Sequence, residues 1–196
     1  MTDRAILDFA KLAQLVYTDP PQFGTDDGPA CGRMYGGVLV FRGTDNGASL
    51  MADLDITTMT TKALGAVHKG FMEALEGVLP QLMELPPPTA IVGHSEGAAL
   101  ATLHAGLLCV SGRLTFKAVY GFEPPRFVAD GTLNGVLNMF GIERFYTCNG
   151  SDPVPDFPLE LSLPGQLTFI GAKRTLIPDI DDHYIANVVK SLEAAA

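Results

Sequence analysis

The chain lacks a cysteine framework, a long apolar span and an excess of positive charge, and each absence removes a class of function. Its three cysteines, Cys31, Cys109 and Cys148, are an odd number at wide spacing. Neither a complete set of disulfides nor a paired zinc motif fits that pattern, so they read as reduced, buried thiols. The N-terminal segment carries Asp3, Arg4, Asp8 and Lys11 within its apolar pattern, unlike a secretory leader. The least polar stretch, Ala98 to Val110, contains Thr102 and His104 and is too short to span a bilayer. No stable membrane insertion is expected, and a cytoplasmic location is the expectation. The net charge of -9 opposes nucleic acid or an anionic membrane as main partner and favours a neutral or cationic ligand. Internal repeats, low-complexity tracts, metal-ligand clusters, phosphate-binding glycine loops and nucleotide fingerprints are all missing, so neither metal nor cofactor is expected.

What remains is a globular balance: 196 residues, 47% hydrophobic and 18% charged. That length suits a single domain over residues 1–196 with a core large enough to fold unaided. Ile6, Phe9, Ala10, Ala13, Val16 and Tyr17 recur at helical spacing, and Asp19-Pro20-Pro21 stops that helix. After a turn-rich connection from Gly24 to Gly32, Met34 to Phe41 reads as a buried strand. Residues 45–66 are polar and weakly periodic, a connection of the kind that lines or covers a site. A helix through Phe71, Leu75, Val78 and Leu82 ends at Pro86-Pro87-Pro88, and Ala90-Ile91-Val92 forms a short strand before a second helix from about Gly97 to Val110. Further alternation follows: a strand from Phe116 to Phe122, a helix through Leu133 and Leu137, and a strand from Arg144 to Cys148. Leu167 to Ile170 and Arg174 to Ile177 are expected to add an antiparallel hairpin, and Ile185 to Leu192 a last helix. Such alternation predicts an α/β fold, a mostly parallel sheet flanked by helices with ligands at the carboxyl ends of the strands.

The most informative segment is Ile91-Val92-Gly93-His94-Ser95-Glu96-Gly97-Ala98-Ala99. It holds GxSxG between a β-branched run and a small-residue helix start, the setting that lifts a serine Oγ clear of a sheet. Side chains at 93 and 97 would collide with neighbouring backbone, and the helix N-terminus aims its free amides at the reacting centre. Ser95 is therefore the candidate nucleophile; the competing reading is a glycine-rich turn with a capping serine.

A serine hydroxyl needs a positioned base, and the base needs a partner that sets its tautomer. In this strand-turn-helix architecture the chain order is serine, acid, histidine. Of His68, His94, His104 and His183, only His183 lies far enough downstream to be the base. His94 and His104 read as structural, and His68 as a possible pocket support. Asp152 follows the strand ending at Cys148 by the turn Asn149-Gly150-Ser151 and is the candidate acid, with Asp156 second. For the oxyanion, the backbone N–H of Glu96 supplies one donor, and Thr44, in the turn after Val40-Phe41-Arg42-Gly43, supplies another.

With these residues in view, the chain resembles the class 3 lipase family, the fungal-lipase-like α/β hydrolases. The likeness runs through Leu15-Val16-Tyr17-Thr18-Asp19, Val40 to Thr44, Val67-His68-Lys69-Gly70-Phe71, the nucleophile segment and Asn149-Gly150-Ser151-Asp152-Pro153-Val154-Pro155, in order and across nearly the whole chain. It implies an α/β-hydrolase fold, Ser95, Asp152 and His183 as triad, and Thr44 with Glu96 as oxyanion donors. Asp53 looks like the family's acidic residue downstream of the oxyanion segment. Three positions depart: the family usually has Leu at 96, Gly at 98 and Gly at 123, where this chain has Glu96, Ala98 and Glu123.

The expectation is a serine carboxylic-ester hydrolase acting on a small-molecule ester or acylglycerol. The connection at 45–66 has few large apolar residues, which predicts a short or absent lid and a preference for small or medium soluble esters. Phospholipase or acyltransferase chemistry on the same triad is the alternative. A non-catalytic lipase-like binding protein ranks below both, because all three triad residues are present.

Overall fold

The computed structural model describes residues 3–44 and 56–195. It opens with α1 (Asp3–Leu15), followed by β1 (Phe23–Gly24), β2 (Cys31–Tyr35) and β3 (Val38–Phe41). A hairpin, β4 (Thr58–Thr61) and β5 (Gly65–His68), leads into α2 (Lys69–Glu84). Then come β6 (Ala90–His94), α3 (Glu96–Val110), β7 (Ala118–Phe122), α4 (Thr132–Met139), β8 (Glu143–Asn149), β9 (Leu167–Ile170) and α5 (Ile185–Ala195).

Seven strands form one sheet in the order β1-β2-β3-β6-β7-β8-β9. From β3 to β9 every neighbour is parallel, while β1, β2 and β3 pair antiparallel. β4 and β5 form a separate two-stranded ribbon. The single strand expected over 34–41 is thus two, broken where Gly36 and Gly37 both take positive φ (53° and 91°), a conformation glycine adopts without penalty in a tight hairpin. The hairpin expected between 167–170 and 174–177 does not form. β9 instead extends the parallel sheet beside β8, and residues 174–177 carry no strand. The first part of the lid candidate, including Asp53, lies outside the described residues; its later part is the β4–β5 ribbon.

Alternation along the strands divides the core between two faces. Leu39, Phe41, Ile91 and Val119 join Phe71 and Leu75 of α2, Leu100 and Leu103 of α3, and Leu133 and Leu137 of α4. Val40, Val92 and Tyr120 join Leu7, Ala10 and Ala13 of α1 and Val188, Val189 and Leu192 of α5 on the other side. Sandwiching the sheet between helices explains why its strands are apolar on both faces. α3 is buried along nearly its whole length, so Ala98, Ala99 and Ala101 let it lie close to the sheet.

Candidate active site

β6 ends at His94, and the chain turns at once into α3, leaving Ser95 between them with φ 56° and ψ −132°. A non-glycine residue in that region is strained, at a cost of about 1–3 kcal/mol. The surroundings hold it there: its N–H donates to the Phe122 carbonyl at 2.8 Å, and its carbonyl accepts the Ala98 N–H at 2.9 Å. A Cβ at Gly93 would strike the Gly97 carbonyl, and one at Gly97 would strike the carbonyls of Phe41 and Arg42. The serine sits at the N-cap of α3 but makes no capping bond. Its Oγ lies instead 2.9 Å from His183 Nε2.

His183 closes a 3-10 turn over Ile180–His183 just before α5 and is buried. Its Nδ1 lies 2.8 Å from Asp152 Oδ2, while Asp152 Oδ1 accepts the Val154 N–H at 3.0 Å. Burial pushes the Asp152 carboxyl up, but the His183 hydrogen bond, a bond from Glu123, the charge of His183 and the Val154 amide outweigh it and hold the carboxyl below its ordinary value. The structure brings Ser95, His183 and Asp152 into one hydrogen-bonded line, and the arrangement fits a catalytic triad. Asp156 stands apart, half-exposed and ion-paired with Arg174.

The two loops that deliver acid and histidine are tied together. Asp182 Oδ2 accepts the Ser151 N–H at 2.8 Å, its carbonyl accepts Asn149 Nδ2 at 3.0 Å, and the Asp179 N–H donates to the Ser151 carbonyl at 3.1 Å. Gly150, at φ 48°, is needed because a Cβ there would strike the Asp182 carboxylate. A second tie runs behind the nucleophile. His94 Nε2 donates to the His183 carbonyl at 2.8 Å, so Nδ1 is left to accept from the Tyr17 hydroxyl at 2.6 Å. The Gly43 N–H donates in turn to Tyr17 Oη at 3.2 Å. Burial, with the charge of His183, lowers the His94 pKa to about 3, so the imidazole is neutral and can accept that bond.

Gly43 and Thr44 pass directly against the nucleophile turn; a Cβ at Gly43 would come within 2.8 Å of Ser95 Cβ. Thr44 Oγ1 donates to Glu96 Oε2 at 2.7 Å. Glu96 is half-buried, and burial pushes its carboxyl up while the Thr44 bond pulls it down. A cleft of about 290 Å³ adjoins these residues, lined by Asp26, Asp27, Arg42, Thr44 and Glu96 among others. Arg42 is committed to Asp26 at 2.6 Å, which leaves an acidic rim. His104 is buried in α3, and His68 caps α2, its Nδ1 accepting the Phe71 N–H at 3.3 Å. The sequence did not point to the Tyr17–His94 tie or to the embrace of residues 149–151 by Asp182. The position of Asp182 directly before His183 was the one available signal.

The sequence pattern of lipase (class 3) matches residues 38–162, from the start of β3 to beyond Asp152. The chain belongs to the class 3 lipase family. It is accordingly a carboxylic ester hydrolase with the α/β-hydrolase fold. Solved structures agree in fold. The lipase of Rhizomucor miehei in its propeptide complex superposes with a TM-score of 0.68 at 19% identity, covering 93% of this chain and 79% of that one. The lipase of Rhizopus microsporus var. chinensis gives 0.70 at 19%, covering 97% and 83%. The mono- and diacylglycerol lipase of Aspergillus oryzae gives 0.69 at 18%, covering 94% and 85%. Curated proteins yield no match. Among the described residues no helix is long and apolar enough to cross a membrane.

Proposed function

We propose that this class 3 lipase hydrolyses carboxylic esters of small or medium size through an acyl-enzyme on Ser95, with His183 as base and Asp152 as the acid that orients it. The observation that carries the reading is the unbroken line of hydrogen bonds, 2.9 Å from Ser95 Oγ to His183 Nε2 and 2.8 Å from Nδ1 to Asp152. Oγ attacks the ester carbonyl as its proton passes to Nε2. The tetrahedral oxyanion is met by the backbone N–H groups of Glu96 and Thr44, while the Thr44 hydroxyl, donating to the Glu96 carboxylate, ties the two segments together. Nε2 then returns the proton to the departing alcohol. Water, deprotonated by the same nitrogen, releases the acid.

With Asp26 paired to Arg42, the remaining carboxyls of Asp27 and Glu96 on the cleft rim support neutral esters over anionic phospholipid, since a phosphate would enter against like charge. The test is a series of nitrophenyl esters of increasing acyl length, run with Ser95→Ala as control. Turnover should favour short and medium chains, without a rise when substrate passes its solubility limit, and should vanish in S95A. Strong preference for emulsified long-chain triglyceride would overturn the substrate reading, and an active S95A would overturn the mechanism.

A further inference from the structure

Glu123 follows β7 directly, is fully buried and has φ 54°, so it is the second non-glycine residue besides Ser95 with positive φ among the described residues. Strain of that kind persists only where neighbours enforce it. Its carboxyl accepts the Asn149 N–H at 2.9 and 3.1 Å, and its own N–H donates to the Thr147 carbonyl at 3.0 Å. Carboxyl oxygens of Glu123 and Asp152 and a ring nitrogen of His183 lie within 4.8 Å of one another. Both nitrogens of His183 are already engaged, one by Asp152 and one by Ser95. The Glu123 and Asp152 carboxyls therefore face each other inside the protein, each acting on the other's protonation. Two carboxylates this close and fully buried repel each other, and a proton held between them removes that repulsion.

We propose that Glu123 is a positioning residue for the triad: a neutral carboxylic acid that donates a hydrogen bond to the Asp152 carboxylate while accepting the Asn149 amide, fixing Asp152 toward His183. The inference rests on the triad reading above. The proton belongs on Glu123 because Asp152 already accepts from His183 and Val154, which stabilise its anion, while Glu123 accepts from one amide alone. The groups around Glu123 agree. Asp152 and Cys148 face it from β8 and its turn, and Asp182 and His183 from the 3-10 turn. Beyond His183 lies His94, which is neutral. Arg174, the nearby cation, is ion-paired with Asp156. Burial, followed by the bond to Asp152 and its charge, pushes the Glu123 carboxyl well above its ordinary value. Glycine at this position would relieve the φ strain but could not make this bond.

Three variants and a spectrum test this. Wild type at neutral pH should show the infrared carbonyl band of a protonated carboxylic acid that is lost in Glu123→Gln. Gln mimics the neutral acid, its amide nitrogen donating to Asp152 and its oxygen accepting from Asn149, so E123Q should keep kcat within about threefold of wild type. Glu123→Gly and Glu123→Ala, which donate nothing, should lose about tenfold or more in kcat with little change in KM. Without the donor the Asp152 charge acts more strongly on the imidazole, so the acid limb of their pH profiles should move to higher pH, while that of E123Q stays with wild type. Melting temperatures identify a variant that fails to fold; if both E123G and E123A do, the band and the E123Q profile decide. Absence of the band, or E123Q as impaired as a folded E123G or E123A, overturns the proposal, as does a folded E123G equal to wild type in kcat and pH profile. Failure of the triad reading looks different: wild type would then resist fluorophosphonate at Ser95, whereas failure of this inference leaves that labelling intact.

Discussion

Acidification should unfasten the tie between Tyr17, His94 and the His183 carbonyl, at a rate with pH that the burial of His94 sets. In the folded chain burial holds the His94 pKa at about 3, against 6.5 when exposed. Between those values the unfolded chain binds a proton that the folded chain refuses, so stability rises with pH and is lost as pH falls. The contribution is complete about one unit above pH 6.5, falls by about 2 kcal/mol between pH 7 and pH 5, and by about 4 kcal/mol at pH 3. His104, lowered to about 4 by burial, adds a slope of the same sign. Glu123, raised by burial, adds one of opposite sign, because it keeps its proton in the fold at pH values where the unfolded chain gives it up. A difference measurement separates them. Urea unfolding of wild type and His94→Gln, at steps from about pH 7.5 to 5, should give H94Q a lower stability at neutral pH. Its dependence on pH should be shallower by up to about 1.4 kcal/mol per unit below pH 6. Parallel curves for the two proteins would refute the reasoning, since they would mean that His94 takes up its proton equally in both states.

Other perturbations act on neighbouring parts. Asp152→Asn should lower kcat by about four orders of magnitude by setting the wrong imidazole tautomer, while Asp156→Asn, which touches Arg174 and not His183, should stay within about threefold; steady-state kinetics on a soluble ester checks both. Tyr17→Phe leaves His94 Nδ1 and the Gly43 N–H without their shared partner and should cost about 1–3 kcal/mol in urea unfolding. Gly97→Ala drives a Cβ into the carbonyls of Phe41 and Arg42, a backbone collision that a flexible side chain cannot absorb. It should cost about 1–3 kcal/mol or more, read as a fall in melting temperature.

Features that depend on short stretches of sequence are legible in the sequence itself. The nucleophile turn is written in five consecutive residues whose spacing is steric, and the parallel sheet is written in apolar runs separated by helical periodicity. Asp152 was legible because a strand end and a turn are local signals, and His183 because three other histidines sat at the wrong place in chain order. What escaped reading depends on residues far apart. The Tyr17–His94–His183 tie joins positions 77 and 89 residues apart, and no local pattern tells a buried neutral histidine from a surface one. The placement of β9 is not legible locally, because a short apolar run does not reveal which edge it will join, and β8 offers a parallel partner in place of a local hairpin. Glu123 was visible as a departure from the family pattern. Its meaning needed the fold, which sets it against Asp152.

The central claim is that Ser95 is the hydroxyl activated by His183, and covalent labelling tests it most directly. Incubating the native protein with a fluorophosphonate and mapping the adduct by peptide mass spectrometry should find one modified residue, Ser95, with labelling lost in His183→Ala. Adduct at another side chain, or native protein left unmodified while a control hydrolase reacts, would contradict the account.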